Sequence, residues 1–333
     1  ARANVDFRFV VPPASSSDYV TEITKIIKEI KPDLIIPTND PEVEKLSEYR
    51  DKLGTELFFP DHDSVSLCLN KWDFHNFAIK NKIRVAETYH VKSIDDVDQI
   101  FSNFNSELLW CRAIKGAGSK GATKVKDPEQ AKWWIRYWNE MRGMEISDFT
   151  ISEFLPGKDF ACQSTWKNGK LILMKAAERL SYIEAASRPS NMSSSPELAK
   201  TVYDEKLFDF CIDVINKLSG GNAHGNYDID IKMNSDNQFC VTEINIGRFF
   251  MITNLFNLCG PLEARYLARL VLSEMRIGVG EGAIRDAISV AFEIPMASVE
   301  RALQVSNDFG FVAEIARDEG IEGVQGIKLK IGR

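Results

Sequence analysis

The feature that most restricts how this chain can fold is a pair of short segments, Asp228-Ile229-Asp230-Ile231 and Thr242-Glu243-Ile244-Asn245. Polar and apolar residues alternate strictly in both, as in strands with one buried face, because successive side chains point to opposite sides. The polar run Asn234-Ser235-Asp236-Asn237 between them predicts a turn. The two segments then pair antiparallel, with Asp228 and Asp230 beside Glu243 and Asn245 on one face. Val241, Ile244, Ile246 and Phe249 make the second segment otherwise apolar, so its acids need partners. Two carboxylates and an amide oxygen are hard ligands of the kind Mg²⁺ accepts, with water and phosphate oxygens completing its shell. Asp230, Glu243 and Asn245 are therefore the candidate metal ligands, against the blander reading of a solvated polar face.

Around this pair the chain alternates strand and helix. Phe7 to Val11 reads as a strand and Tyr19 to Ile30 as a helix, with Val20, Ile23, Ile26, Ile27 and Ile30 at helical spacing. Leu34 to Pro37 reads as a second strand. This order predicts a parallel sheet with a right-handed crossover and puts Thr38-Asn39-Asp40 where open α/β sheets bind ligands. A helix near Pro41 to Leu53, a strand at Leu57 to Phe59 and a helix from Ser64 to Lys82 follow. Strands are then expected at Arg84 to Val91, Leu108 to Ile114, Thr123 to Val125, Thr150 to Glu153, Asp159 to Trp166 and Lys170 to Ala176. Asn168-Gly169 should make the hairpin turn between the last two. The helix from Pro128 to Met141 carries Trp133, Trp134, Tyr137 and Trp138, read as a broad core-packing face. Arg179 to Pro196 reads as an exposed loop, Pro196 to Leu218 as a helix, and Ala223 to Met233 and Gln238 to Ile244 as the acidic strand pair. Beyond about Gly260 the pattern becomes mostly helical.

Two further motifs could hold a nucleotide. Lys115-Gly116-Ala117-Gly118-Ser119-Lys120-Gly121 is a glycine loop whose backbone N–H groups can wrap a phosphate. It lacks the G-K-[ST] ending of a Walker loop, and a plain hairpin is the equal alternative. Ile151-Ser152-Glu153-Phe154-Leu155-Pro156-Gly157-Lys158-Asp159 is a strand running into a Pro-Gly turn, able to hydrogen-bond a base edge and ribose hydroxyls. Lys71, Arg112, Lys175, Arg179, Arg188 and Arg248 are scattered cations, each by itself a surface charge. Arg112 and Lys175 differ, because apolar strands surround them and an unpaired cation there is costly.

The net charge of −7 and a pI near 5.4 give no global attraction to nucleic acid or anionic membrane. No apolar run approaches the roughly 18 residues of a membrane span. Six scattered cysteines form no C-x-x-C pair and four histidines show no ligand spacing; buried free thiols in a reducing cytoplasm are expected. The start, Ala1-Arg2-Ala3-Asn4, is neither a signal peptide nor an initiating methionine and reads as the interior of a longer domain.

In this order the motifs resemble the ATP-grasp superfamily over about residues 1–258, and within it proteins similar to the carbamoyl-phosphate synthase large subunit. The resemblance rests on Ile35-Ile36-Pro37-Thr38-Asn39-Asp40, Asn70-Lys71, the Arg112 to Gly121 loop, Glu153-x-x-x-Gly157 and Glu243-x-Asn245-x-x-Arg248. It implies an α/β and α+β architecture. An N-terminally incomplete parallel-sheet domain (1–63) would precede an ATP-grasp fold of two α+β subdomains (64–260) and a helical segment (261–333). It implies an ATP- and Mg²⁺- (or Mn²⁺-) dependent ligase that phosphorylates a small-molecule carboxylate and passes it to an amine. By the same resemblance Lys71 and Arg112 contact phosphates beneath the Gly116, Gly118, Ser119 and Gly121 loop. Glu153, Phe154 and Leu155 hold adenine and Asp159 the ribose, while Asp230, Glu243 and Asn245 bind the metal. Arg112, Lys175 and Arg248 stabilise the transferring phosphoryl group. The sequence departs from the usual pattern in having Arg112 where a lysine is common and Ser152 where the first acid of a Glu-Glu pair stands.

The tail resembles a different family. Glu263 to Arg269, Glu274 to Gly282, Ile284 to Ile288, Val299 to Ala302 and Ile327 to Arg333 are similar to the DNA-binding domain of archaeal ATP-dependent DNA ligases. The adenylated lysine motif of those enzymes is not in the chain. From Pro261 onward 9 Lys and Arg face 11 Asp and Glu, so no basic patch is evident. A helical packing appendage is the preferred reading. The alternative is a DNA-binding module whose front half is an inactive nucleotide binder.

Overall fold

The computed structural model describes residues 7–55, 57–116, 121–182, 196–247, 281–306 and 308–328. Contacts divide the chain into two units, Ala1–Leu258 and Cys259–Arg333. The strands of the first unit are β1 (Thr88–Val91), β2 (Leu109–Ala113), β3 (Thr123–Val125), β4 (Phe149–Glu153), β5 (Asp159–Lys167), β6 (Lys170–Tyr182), β7 (Pro196–Val202), β8 (Gly225–Met233) and β9 (Phe239–Ile246). They make two antiparallel sheets, of order β1-β4-β2-β3 and β7-β6-β5-β8-β9.

The larger sheet grows from the Asn168-Gly169 turn. Both residues have positive φ, 49° and 79°, the backbone a two-residue hairpin requires. Alternation along β5, β8 and β9 sends Phe160, Cys162, Tyr227, Ile229, Ile231 and Ile244 into a buried core. There they meet Leu207, Cys211, Val214, Ile215 and Leu218 of the helix Glu205–Ser219. Each such side chain contributes about 1.5–3 kcal/mol by leaving water. The opposite face of the sheet is left to polar residues. The smaller sheet buries Leu109, Cys111, Phe149 and Ile151 against Val97 and Ile100 of the helix Asp96–Ser102 and Ala131 and Ile135 of the helix Pro128–Arg142.

Several expectations need correction. Residues 7–11 form no strand; Phe7, Phe9 and Val10 are exposed, and apolar residues make a strand only where a neighbour completes the ladder. The parallel sheet of the leading segment is reduced to one parallel bridge, Ile35 to Leu57. The expected helix from Ser64 to Lys82 is two helices, His62–Leu69 and Lys71–Lys80. Extended Asn70 separates them, its side chain accepting from the N–H groups of Trp72 and Asp73, a capping bond that favours starting a new helix. The strand at Arg84 to Val91 begins only at Thr88, and the short helix Asp96–Ser102 was not anticipated. Trp133 is 63% exposed and Tyr137 37%, stacked with ring centroids 5.7 Å apart. The aromatic arc is wider than the sheet below can cover, and only its Trp134 and Trp138 side packs on the core.

The largest correction concerns residues 176–204. β6 runs on to Tyr182, so Arg179 belongs to a strand and not to a loop. Pro196–Val202 is an edge strand on β6, where a helix was expected. The helix starts later because Asp204 accepts from the N–H groups of Lys206 and Leu207, fixing its N-terminus. Residues 183–195, including Arg188, lie outside the described residues.

Gly225 is where the leading segment presses on the sheet. Its φ is +92°, and a Cβ there would stand 2.4 Å from Phe59 Cα. Gly225→Ala is expected to destabilise the first unit by about 2–4 kcal/mol, through a strained backbone and overpacking. A thermal melt would show a fall of roughly 5–10 °C; an unchanged Tm would mean that Phe59 does not pack here.

The second unit contributes the helices Glu281–Ala291, Met296–Ser306 and Phe309–Gly326. They share a core of Ile288, Ile294, Val299, Ala302, Val312, Ala316, Val324 and Ile327. Among the described residues no helix is long and apolar enough to cross a membrane. Cys68, Cys111, Cys162, Cys211 and Cys240 are buried free thiols.

Candidate functional site

Register brings the acidic strand pair together. Asp230 pairs with Glu243 and Asp228 with Asn245 across β8 and β9. All four project from the sheet face opposite the core, as alternation requires. Asn245 Nδ2 donates to Asp230 Oδ2 at 3.3 Å. Among the described residues no group of three His, Cys, Asp or Glu side chains is placed to hold a metal; the Asp230, Glu243 and Asn245 set takes its third oxygen from an amide.

Cations from the other elements converge on these acids. Lys71 stands at the first turn of its helix, placed by the Asn70 cap. Its Nζ lies 3.4 Å from Glu243 Oε2 and donates to the Gly116 carbonyl at 2.9 Å, joining the acidic strand to the start of the glycine loop. Arg112 of β2 pairs with Thr150 of β4. Burial lowers its affinity for its proton, while Glu243 and Asp230 pull the other way. Its Nε is buried with no hydrogen-bond partner among the described residues. Burial likewise pushes the Asp230 carboxyl up, with Asp228 and Glu243 adding to the rise and the Arg179 ion pair opposing it. The site thus holds a guanidinium nitrogen without an acceptor and a cluster of carboxylates held in the meantime by Lys71 and Arg179. Phosphate oxygens would answer the first and a divalent cation the second, so these residues fit both groups.

The remaining expected positions divide. Gly116 and Gly121 have φ of 107° and 70°, and Trp134 Nε1 donates to the Gly121 carbonyl at 3.0 Å, anchoring the end of the loop. Gly118, Ser119 and Arg248 lie outside the described residues. Phe154 lies between two ammonium groups, Lys124 Nζ at 5.0 Å and Lys232 Nζ at 5.5 Å from its ring centroid, with the Trp110 ring 6.4 Å away. Leu155 is buried, and its carbonyl faces Lys232 Nζ at 3.5 Å. Glu153 is tied to the segment before β1, its carboxylate accepting from Glu87 N at 3.1 Å. Asp159 is buried, hydrogen-bonded by the Tyr182 hydroxyl and 3.3 Å from the Arg179 guanidinium. Lys175 is exposed, opposite Gln163. It carries no desolvation cost, and the argument that set it apart from other surface cations fails.

Tyr182 and Lys232 join the site although no motif marks them, and Arg179, by its sequence a surface charge, lies within it. Simple counting outward from the Asn168-Gly169 turn pairs Asp159 with Glu178; a register shift between Thr165 and Trp166 brings Arg179 opposite Asp159 instead, and no sequence signal marks such a bulge.

The first unit has the ATP-grasp fold. Its architecture is similar to that of an L-amino acid ligase from Bacillus licheniformis, at 13% identity and a TM-score of 0.54, over 72% of this chain and 55% of that one. It is similar at 12% identity and a TM-score of 0.57 to the biotin carboxylase domain of Hydrogenobacter thermophilus 2-oxoglutarate carboxylase, solved with MgADP and bicarbonate. That match covers 72% of this chain and 53% of the other. At such identities the likeness is one of fold. The C-terminal part is similar to another class of protein. The family described as DNA ligase N terminus matches residues 250–289. A DNA ligase of Halobacterium salinarum is 63% identical over 83 residues, which is 25% of this chain and 15% of that enzyme. The chain thus spans a small fraction of the DNA ligases it matches and about half of these two solved chains.

Proposed function

We propose that the first unit is an ATP- and Mg²⁺-dependent carboxylate–amine ligase, of the kind the carbamoyl-phosphate synthases exemplify. The observation that carries this is the convergence of Lys71 and Arg112 on the Asp230, Glu243 and Asn245 face. Cations for the phosphates and oxygens for a metal lie side by side. Bound there, Mg²⁺ would neutralise the phosphate oxygens and polarise the transferring phosphoryl group. Lys71 and Arg112 hold the phosphates in line with the acceptor, which is catalysis by positioning and electrostatics. A substrate carboxylate oxygen attacks the γ-phosphorus and ADP leaves. An amine then attacks the acyl phosphate carbon, and inorganic phosphate departs as the amine gives up a proton. No side-chain nucleophile is needed. Phe154 and Leu155, with Lys124 and Lys232 beside them, offer an apolar edge with donors for the base.

The test is a phosphate-release screen of carboxylates and amines with Mg-ATP. Release that requires one acid and one amine together is the expected result. Failure of Mg-ATP to bind at all would overturn the reading.

A second reading is favoured by the high identity of the tail to DNA ligases: the second unit contacts DNA. Filter binding to nicked duplex at low salt tests it. Tight binding that weakens steeply with salt is expected on this reading, and no binding removes it.

A further inference from the structure

Arg179 has the most constrained side chain in the acidic face, and the proposed reaction gives it no task. It leaves β6 opposite Asp159 and reaches across β5 to β8. Its Nη2 lies 2.5 Å from Asp230 Oδ1 and its Nη1 3.3 Å from Asp159 Oδ1. The crossing is possible because Ala161 sits opposite Asp230 on one side and Ala177 on the other; two methyl groups leave a channel for the guanidinium. The Arg179 side chain is 11% exposed and Asp230 16%.

Asp230 is therefore occupied on both oxygens, Oδ1 by Arg179 and Oδ2 by Asn245. Each carboxylate oxygen keeps a second lone pair, but a divalent cation approaching Asp230 meets the positive charge of Arg179 2.5 Å from Oδ1 and is repelled by it. The exchange is feasible because Arg179 has a second anchor. On releasing Asp230 it keeps Asp159, itself fixed by Tyr182, so no buried charge is stranded. A buried cation deprived of every partner costs several kcal/mol; one that exchanges two acids for one costs less.

We infer that Arg179 is a positioning residue that holds Asp230 as a resident counter-charge and yields it to the divalent cation when nucleotide binds, making metal loading nucleotide-dependent. This rests on the ATP-site reading above. It predicts that the metal alone competes poorly for Asp230, whereas metal with triphosphate gains enough from Lys71, Arg112 and Glu243 to displace the arginine.

Mn²⁺ binding to the full chain, followed by electron paramagnetic resonance with and without a non-hydrolysable ATP analogue, tests this directly. The wild type is expected to bind Mn²⁺ weakly alone and tightly with the analogue. Arg179→Met should bind Mn²⁺ alone at least tenfold more tightly than the wild type, so that the analogue adds less. Arg179→Lys reaches one acid but cannot bridge two, and should shift in the same direction by a smaller factor. Tighter metal binding is a gain that mere structural damage does not produce. Unchanged Mn²⁺ affinity in either variant, with a wild-type melting transition, overturns the inference while leaving the ATP site standing. Absence of Mn²⁺ binding by the wild type with the analogue overturns both.

Discussion

Glu243→Gln is expected to weaken Mg-ATP binding by about two orders of magnitude or more and to abolish turnover, with the fold unchanged. The substitution keeps the shape of the side chain and its place in β9, between Thr242 and Ile244. What it removes is one full negative charge from the site proposed to bind a divalent cation. It also removes the acid 3.4 Å from Lys71 Nζ. Lys71 keeps its bond to the Gly116 carbonyl, which limits the structural damage. Removing one charge that faces a bound ion costs about 2–5 kcal/mol of binding, and each 1.4 kcal/mol is tenfold in affinity. Asn245→Ala removes a neutral ligand and a donor to Asp230, so its loss should be smaller, about tenfold. Calorimetric titration with Mg-ATP reads both effects and a thermal melt controls for folding. Wild-type affinity in Glu243→Gln would remove the metal site from this strand.

That prediction rests on a feature legible in the sequence. Strict alternation on both sides of a four-residue polar turn fixed which side chains of β8 and β9 share a face, and the register places Asp230 opposite Glu243. One detail escaped. A bulge between Asp230 and Ile231 shifts the pairing, so that Ile231 meets Val241, and alternation alone does not reveal an extra residue. The leading segment was read less well, because apolar runs such as Phe7 to Val11 satisfy a strand pattern whether or not a partner exists to complete it. The Pro196 boundary failed for a local reason. Proline at a first helical position is a sound start signal, but Asp204 supplies a stronger one, and the intervening Thr201-Val202 favours a strand.

The site was half legible for a physical reason. Sequence-local motifs, such as the glycine loop, stand out in one dimension. Arg179 meets its partners on other strands, and its place emerges only when β6 is set against β5 and on to β8. Lys175 shows the reverse error. The letters around it are apolar, but its strand lies toward the edge of the sheet and turns it to solvent, so hydrophobic neighbours in sequence were not burial in space.

Arg112→Met is expected to remove the protection that nucleotide gives while leaving the stability of the ligand-free protein close to that of the wild type. The guanidinium sits in β2 with Nε lacking any partner among the described residues, and burial disfavours its charge more than Glu243 and Asp230 favour it. Methionine removes the cost of burying that charge and adapts to the shape of the gap, but Glu243 and Asp230 lose a counter-charge, which is costly where they are buried. The two effects oppose each other, so the variant without ligand should melt near the wild-type temperature. Mg-ATP should then fail to protect it. A wild type at a hundred times its dissociation constant gains about 2.7 kcal/mol from ligand, and the variant, without the cation proposed to meet the phosphates, should gain almost none. Arg112→Lys restores the charge as a point without the planar fork and should recover part of the protection. Thermal melts of the three proteins with and without Mg-ATP decide the matter. If Arg112→Met melts several degrees lower and is still protected by nucleotide, the guanidinium is a structural cation satisfied by Glu243 and Asp230, and the phosphates bind elsewhere.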